Sequence, residues 1–302
     1  MILLLGAGPD DPAVDSFDGY LTRRSIDHAV CRDPGRLPFA VRMDPDGRTR
    51  VRLRPPGHGT LDGDEVAVFV RDPWALVPPD GPAGPSGPDA RFAADEYRAA
   101  LWSLCALLPR VVNRPGPRAW PDAAGLRRRL APSSALPERW TTDGGELLDE
   151  WRRSPAAELH VEDLLTHERR IVRRTPCPGA GETDGAGEGG TEQLRALFAP
   201  SSAYVIELCV GRRSFTVLNE PGVDVSAAPY RAFVRDLAAV LRGQGLRFFA
   251  AALVADERRR LLVSRVVPVP PFSWYRDIAD EVHGRLCAEL GHGPGADTGE
   301  SG

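Results

Sequence analysis

The stretch from Gly245 to Pro270 constrains the fold of this chain more than any other part of the sequence. It contains two apolar runs, Phe248–Ala255 and Leu261–Val267, separated by the charged residues Asp256–Arg260. Runs of this length that are rich in Val and Leu and bounded by polar residues predict a buried β-hairpin. Apolar residues at helical spacing precede and follow the hairpin, which predicts a helix from about residue 229 to 242 and a second one beyond it.

The first 112 residues show strand patterns that alternate with helix patterns, which predicts an α/β fold class. The predicted strands are Met1–Leu5, Ile26–Cys31, Glu65–Val70 and Val111–Val112, the predicted helices are Asp10–Arg24 and Arg91–Leu108, and Phe39–Met43 and Val51–Leu53 form a predicted hairpin around Asp44–Arg48. A further strand pair is predicted at Tyr204–Val210 and Arg213–Leu218. Residues 120–175 are polar and give no clear prediction. The Gly-rich segment Pro176–Gly190 is predicted to be flexible because it contains few apolar residues.

Composition excludes several classes of protein. The net charge of −4 gives no reason to expect a nucleic-acid partner. No apolar run reaches the roughly 18 residues that cross a bilayer, and we expect Met1–Leu5 to be a strand and not a signal peptide, which predicts a cytoplasmic protein with no membrane partner. The five cysteines form no CxxC pair, so a disulfide framework or a zinc ribbon is not expected. All 38 basic residues are arginines, which excludes a mechanism that needs a lysine amine.

Two short motifs invite functional interpretations that their surroundings do not support. Gly6-Ala7-Gly8 follows the first strand, but position 11 is Asp where a dinucleotide-binding motif has its third glycine. Acidic residues there would repel a pyrophosphate, so we interpret the segment as a tight strand-to-helix turn. His160 and His167 bracket two acids, but their spacing matches no helical ligand pair, and we predict no metal site.

In this order, the segments resemble an ATP-grasp protein of the ribosomal-peptide maturase type, the ligases that make ester and amide crosslinks in microviridin-like peptides. The resemblance covers most of residues 60–290 and is carried by Val66–Pro73, Arg91–Asn113, Leu130–Thr142, Tyr204–Phe215 and Gly245–Pro270. It implies a pre-ATP-grasp α/β domain at 1–118 and a small central grasp subdomain at 119–195, which includes the flexible loop 176–190. A C-terminal α+β grasp subdomain would follow at 196–290, and a disordered tail at 291–302.

The chain departs from the family pattern at the positions where the resemblance places the active-site residues. The nucleotide-binding Lys of the family falls near Ala124, and its strand Arg falls at Glu207. The metal-binding Asp falls at Ala252, and the metal-binding Glu and Asn fall at Arg265 and Val267. Alanine and valine offer no oxygen ligand to magnesium, and an arginine would repel it.

Two functions from the ligase family therefore stay open. The first is a catalytically degenerate pseudo-ligase that binds a peptide substrate or a partner ligase in a biosynthetic pathway, as a monomer or a homodimer, with no cofactor expected. The alternative is an active ATP-dependent carboxylate–amine or carboxylate–hydroxyl ligase that uses ATP and Mg²⁺, with acids such as Glu207 or Asp256 as relocated metal ligands. A third hypothesis, nucleic-acid binding through the arginine runs, is opposed by the net charge. The candidate substrate or phosphate contacts are Arg71, Arg212, Arg213 and Arg265.

Overall fold

The computed structural model describes residues 1–6, 10–34, 37–71, 88–114, 138–154, 156, 158–163, 169–173, 194–199, 204–220, 223–255 and 261–292. The predictions made for Ala7–Gly8, Ala124, Pro176–Gly190 and Asp256–Arg260 lie outside these residues, as does the part of the predicted tail after residue 292.

The N-terminal part forms a four-stranded parallel sheet with a helix on each face. In chain order, its elements are β1 (Ile2–Leu5), α1 (Pro12–Arg23), β2 (His28–Cys31), β3 (Phe39–Met43), β4 (Thr49–Leu53), β5 (Leu61–Asp62), β6 (Ala67–Val70), α2 (Pro88–Leu107) and β7 (Arg110–Val112). The parallel sheet has the order β2-β1-β6-β7, and β3, β4 and β5 form a small antiparallel sheet. Leu4 packs with α1 residues on one face of β1, and Leu5 packs with α2 residues on the other. A strand that is buried on both faces reads as a continuous apolar run, which explains why the sequence revealed it.

The middle part is an antiparallel sheet covered by one helix. Its elements are β8 (Glu138–Thr141), α3 (Gly144–Arg153), β9 (Glu158–Asp163), β10 (Arg169–Arg173) and β11 (Leu194–Ala199), and the strand order is β10-β9-β11-β8. Leu147 and Trp151 of α3 pack with Leu159 and Leu194 of the sheet. The sequence predicted no element here because the strands are short and mix charged with apolar residues, so no long apolar run marks them.

The C-terminal part confirms the predicted hairpin and the helix before it. Its elements are β12 (Tyr204–Val210), β13 (Arg213–Asn219), α4 (Ala228–Gly243), β14 (Phe248–Ala255), β15 (Leu261–Val267) and α5 (Ala279–Glu289). The strands form an antiparallel sheet of order β13-β12-β14-β15. Leu237 and Leu241 of α4 pack on Phe249, Ala251 and Leu253 of β14. Before α5, the chain makes two short 3-10 turns at Phe272–Trp274 and Arg276–Ile278. The second predicted helix corresponds to α5.

One hydrophobic core joins the parallel sheet to the C-terminal sheet. Leu4 and Phe69 of the first sheet share it with Leu208, Phe248 and Ala250 of the second. The division into domains that the resemblance implied stays a prediction. Of the helices in the described part of the chain, none combines the length and the apolar character that crossing a bilayer requires.

Candidate functional site

The C-terminal sheet has one face covered by α4 and an opposite face, here called the front face. Phe249, Ala251 and Leu253 point toward α4, so Ala252 must lie on the front face, because side chains alternate along a strand. Ala252 is the register partner of Arg265 on β15 and of Ile206 on β12. The structure therefore places two of the predicted degenerate positions side by side on one face.

A single row of residues crosses the front face from one edge of the sheet to the other. The pairings Leu218–Ile206, Ile206–Ala252 and Ala252–Arg265 link the four strands. Leu218 is exposed, and the other three residues of the row are partly buried. None of the four side chains carries an oxygen, so this row offers a divalent cation no ligand.

Two β-bulges flank this row, which we call the front row. One lies on β13, where the pairing shifts between Ile206 and Glu207, and the other lies on β15, where it shifts between Ala252 and Leu253. Bulges re-aim the side chains beside them and are over-represented next to functional sites. The bulges thus set the orientation of both ends of the front row, including Arg265.

Val267 and Glu207 have structural environments that differ from that of the front row. Val267 is buried in the core shared by the two sheets. Glu207 is 2% exposed, and its carboxylate accepts hydrogen bonds from the Thr216 hydroxyl at 2.5 Å and from the Tyr230 hydroxyl at 2.6 Å. Tyr230 belongs to α4, so the carboxylate of Glu207 points away from the front face. Burial and the neighbouring carboxylate raise the pKa of Tyr230 above its ordinary range, so the phenol stays a donor to Glu207.

Arg71 joins the end of the parallel sheet to the C-terminal part. It follows β6 and is 5% exposed. Its Nε donates to Oδ2 of Asp11 at 3.1 Å, and its Nη2 donates to the carbonyl of Pro270 at 2.9 Å. Its buried Nη1 has no hydrogen-bond partner among the residues that the structure describes. Two of the three guanidinium nitrogens therefore bind groups of the protein itself, and the predicted contact of Arg71 with a substrate or phosphate stays a prediction.

Asp11 has two roles that the sequence did not reveal. Its Oδ1 accepts a hydrogen bond from the backbone N–H of Ala13 at 2.9 Å and so caps the N-terminus of α1. Its Oδ2 accepts from Arg71. Tyr275 lies beside this pair, and burial raises the pKa of its phenol to about 12. The acid that argued against a dinucleotide site thus orders the strand-to-helix connection.

Asn113 is the other residue whose importance only the structure shows. Its backbone φ is 57°, in the left-handed region that asparagine tolerates better than most residues. The side-chain amide donates to the carbonyl of Phe248 at 2.7 Å, and its oxygen accepts from the N–H groups of Phe248 at 2.9 Å and Arg247 at 3.1 Å. Asn113 therefore pairs with the start of β14 as a neighbouring strand would, and it fixes the parallel sheet against the hairpin.

Arg212 and Arg213 are not brought together with Arg265. They are exposed at the β12–β13 turn, which begins at Gly211 with a φ of 58°. The turn is about five residues along β12 from Ile206, so it lies roughly 16 Å from the front row at about 3.3 Å per residue. Any contact that Arg212 or Arg213 makes with a ligand belongs to a different end of the sheet.

The comparisons with known proteins identify the fold. No family model matches the sequence, and no curated protein is significantly similar to it. Among solved structures, the chain is similar to macrocyclase MdnC from Microcystis aeruginosa MRC bound with precursor peptide MdnA, with 13% identity, a TM-score of 0.63, and coverage of 95% of this chain and 99% of that one. It is also similar to the ATP-grasp ligase PsnB complexed with precursor peptide PsnA2 and AMPPNP, with 15% identity, a TM-score of 0.61, and coverage of 96% and 97%.

A third similar structure is a RimK domain protein ATP-grasp from Sphaerobacter thermophilus DSM 20745, with 16% identity, a TM-score of 0.55, and coverage of 98% of this chain and all of that one. These matches extend over nearly the whole chain, and they confirm the predicted fold. The chain has the ATP-grasp fold.

Proposed function

We propose that this chain is a catalytically degenerate relative of the peptide-modifying ATP-grasp ligases, and that it binds a peptide or a partner ligase without turning over ATP. The observation that carries the proposal is the front row, in which Ala252 and Arg265 are cross-strand partners. The family resemblance assigns metal-binding carboxylates to these two positions. An alanine and an arginine there leave magnesium without its ligands and add a positive charge.

The loss of metal ligands should reduce the rate of phosphoryl transfer more than the affinity for a peptide. In phosphoryl transfer, magnesium bridges the reacting phosphates and neutralises charge that develops in the transition state. An arginine can contact a phosphate oxygen, but it cannot bridge the phosphates as a metal does. The absence of the bridge should remove several kcal/mol of transition-state stabilisation, while a peptide can still bind to the fold.

Peptide binding is supported by the solved structures to which this fold is similar. The similar structures of MdnC and PsnB were each determined with a precursor peptide. The front row supplies apolar surface at Leu218 and Ile206 and a guanidinium at Arg265, which suits a peptide that presents apolar side chains and a carboxylate.

The alternative, an active ligase, requires ATP and Mg²⁺ and metal ligands from elsewhere. The family's nucleotide-binding position, near Ala124, and Asp256 lie outside the described residues. Glu207 is engaged with Thr216 and Tyr230 on the side of the sheet that faces α4. That placement argues against Glu207 as a relocated ligand.

Calorimetry with a non-hydrolysable ATP analogue, with and without Mg²⁺, tests the proposal together with a phosphate-release assay. We expect weak or no nucleotide binding, little effect of Mg²⁺, and no turnover by the wild-type protein. The double variant Ala252→Asp with Arg265→Glu should acquire Mg²⁺-dependent nucleotide binding, because it restores two carboxylates to the front row. Arg235→Glu is the control, since it makes the same charge change as Arg265→Glu at an exposed position of α4, behind the sheet. Tight Mg²⁺-dependent binding with turnover by the wild type would refute the proposal and favour the active ligase.

A further inference from the structure

The small sheet of β3, β4 and β5 ends in an open edge at β3. Within the described part of the chain, β3 pairs only with β4. Residues 40–43 are all exposed in the folded protein. The strand contains neither proline nor a bulge, two of the features with which proteins protect an open strand edge. Among the described residues, nothing pairs with this edge, so another chain can add a strand to it.

The free hydrogen-bonding groups of β3 can be assigned from its pairing with β4. The N–H of Asp44 donates to the carbonyl of Arg48 at 2.8 Å, and the register then pairs Arg42 with Arg50. Because residues of an antiparallel strand bond alternately to one side and the other, the even-numbered residues of β3 bond to β4. The N–H and carbonyl groups of the odd-numbered residues point away from β4, and these residues are Phe39, Val41 and Met43.

The side chains of the same three residues form an apolar face that continues past the core. The Phe39 ring contacts the Tyr97 ring of α2 at a centroid distance of 6.0 Å. Val41 is 45% exposed, and Met43 is 75% exposed. A strand added beside β3 would place its own apolar side chains against Val41 and Met43 and remove them from water.

The opposite face of the small sheet carries an excess of positive charge. Arg42 and Arg50 share one acid, Asp44, at 3.1 and 2.7 Å, and Arg52 pairs with Asp62 at 3.1 Å. Arg54 is a further exposed arginine at the end of β4. The four arginines face two carboxylates, which leaves two positive charges for an incoming strand to neutralise.

From these features we propose that the edge of β3 binds an extended peptide in which apolar and acidic residues alternate. The peptide would add a strand to the small sheet, with its apolar residues beside Val41 and Met43 and its acidic residues beside Arg42. Main-chain hydrogen bonds give such β-strand addition its affinity, and alternate side chains give it specificity. Pairing with a second copy of this chain fits less well, because two arginine-rich faces would then lie side by side. The proposed β3 site is separate from the front row, so an experiment that refutes one of the two proposals does not refute the other.

A labelled synthetic peptide with alternating valine and glutamate tests this inference by fluorescence anisotropy on the full chain. A peptide with alternating valine and lysine is the matched control, and only the glutamate peptide should bind, more weakly as salt is added. Val41→Pro should weaken binding about tenfold or more, because it removes a donor at the open edge and leaves the bonds to β4 intact. Arg42→Glu should weaken the glutamate peptide and favour the lysine peptide, while Arg235→Glu, at an exposed position of α4, should change neither.

Three results would overturn the inference. The first is equal affinity for the two peptides, and the second is unchanged binding by a folded Val41→Pro variant. The third is a dimer in sedimentation that dissociates on Val41→Pro, which would assign the edge to a second copy of the chain. If Val41→Pro fails to fold, a glutamate peptide with N-methylated backbone replaces it, and loss of its binding supports the inference while undiminished binding overturns it.

Discussion

Acidification should destabilise this protein through His283, a buried histidine between α1 and α5. Its imidazole is 1% exposed and stacks on the ring of Phe17 at a centroid distance of 4.9 Å. Neither ring nitrogen has a hydrogen-bond partner among the described residues. Burial lowers the pKa of His283 from 6.5 to about 4, with a smaller opposing effect of Asp280 and a smaller reinforcing effect of Arg23. These two charged groups form an exposed ion pair at 2.9 Å, which solvent screens.

The sign of the effect follows from the two pKa values of His283. The unfolded chain binds the proton more tightly than the folded one, so the free energy of unfolding is highest above pH 6.5 and falls as the pH drops toward 4. The full loss is about 3 kcal/mol, at about 1.36 kcal/mol for each pH unit between the two values. A loss of this size is a large fraction of the stability of an ordinary domain.

Urea denaturation followed by circular dichroism from pH 7.5 to 4 measures this effect. His283→Leu should be at least as stable as the wild type at pH 7.5, because it removes two buried nitrogens without partners. Its stability should fall less steeply on acidification, so that the difference between the two proteins grows by about 3 kcal/mol at pH 4. His292→Gln, beyond the end of α5, serves as the control and should keep the wild-type slope. Parallel pH profiles for the wild type and His283→Leu would refute the reasoning.

Three further predictions concern the links that hold the C-terminal sheet. Asn113→Ala should reduce the free energy of unfolding by about 3 kcal/mol in thermal or urea denaturation, because it leaves buried backbone groups of β14 without partners. Asn113→Gly should reduce it somewhat less, because glycine adopts the positive φ without strain. Glu207→Leu should reduce the free energy of unfolding by about 2 kcal/mol in urea denaturation, because it leaves the buried Tyr230 hydroxyl unpaired. Unchanged stability of this variant would contradict the structural role of Glu207. Gly211→Ala should reduce the free energy of unfolding by about 1–2 kcal/mol, because the residue has a positive φ and its new Cβ would meet the Glu289 carboxylate. An unchanged melting temperature would contradict this prediction.

Local elements with a strong apolar pattern could be predicted from the amino-acid sequence alone. The bounds predicted for the two strands of the hairpin, Phe248–Ala255 and Leu261–Val267, are those of β14 and β15. The predicted helix at 229–242 corresponds to α4. These predictions hold because a strand or helix buries residues at a regular spacing, and that spacing appears in the sequence as a pattern of apolar residues. The same pattern gave no prediction for the middle sheet, whose strands are short and mix charged with apolar residues.

Contacts between distant residues could not be predicted from the sequence and depend on the tertiary structure. Arg71 is paired with Asp11, which is 60 residues away, and with Pro270, which is 199 residues away, and no local pattern records either distance. Strand register also decided that Ala252 and Arg265 share the front row, while Glu207 faces α4 on the other side of the same sheet. A shift of one residue in strand register exchanges the two faces of a strand, so the face that a side chain occupies depends on how the strands pair across the whole sheet. Strand pairing depends on contacts between distant segments, and it decides which side chains form the candidate site.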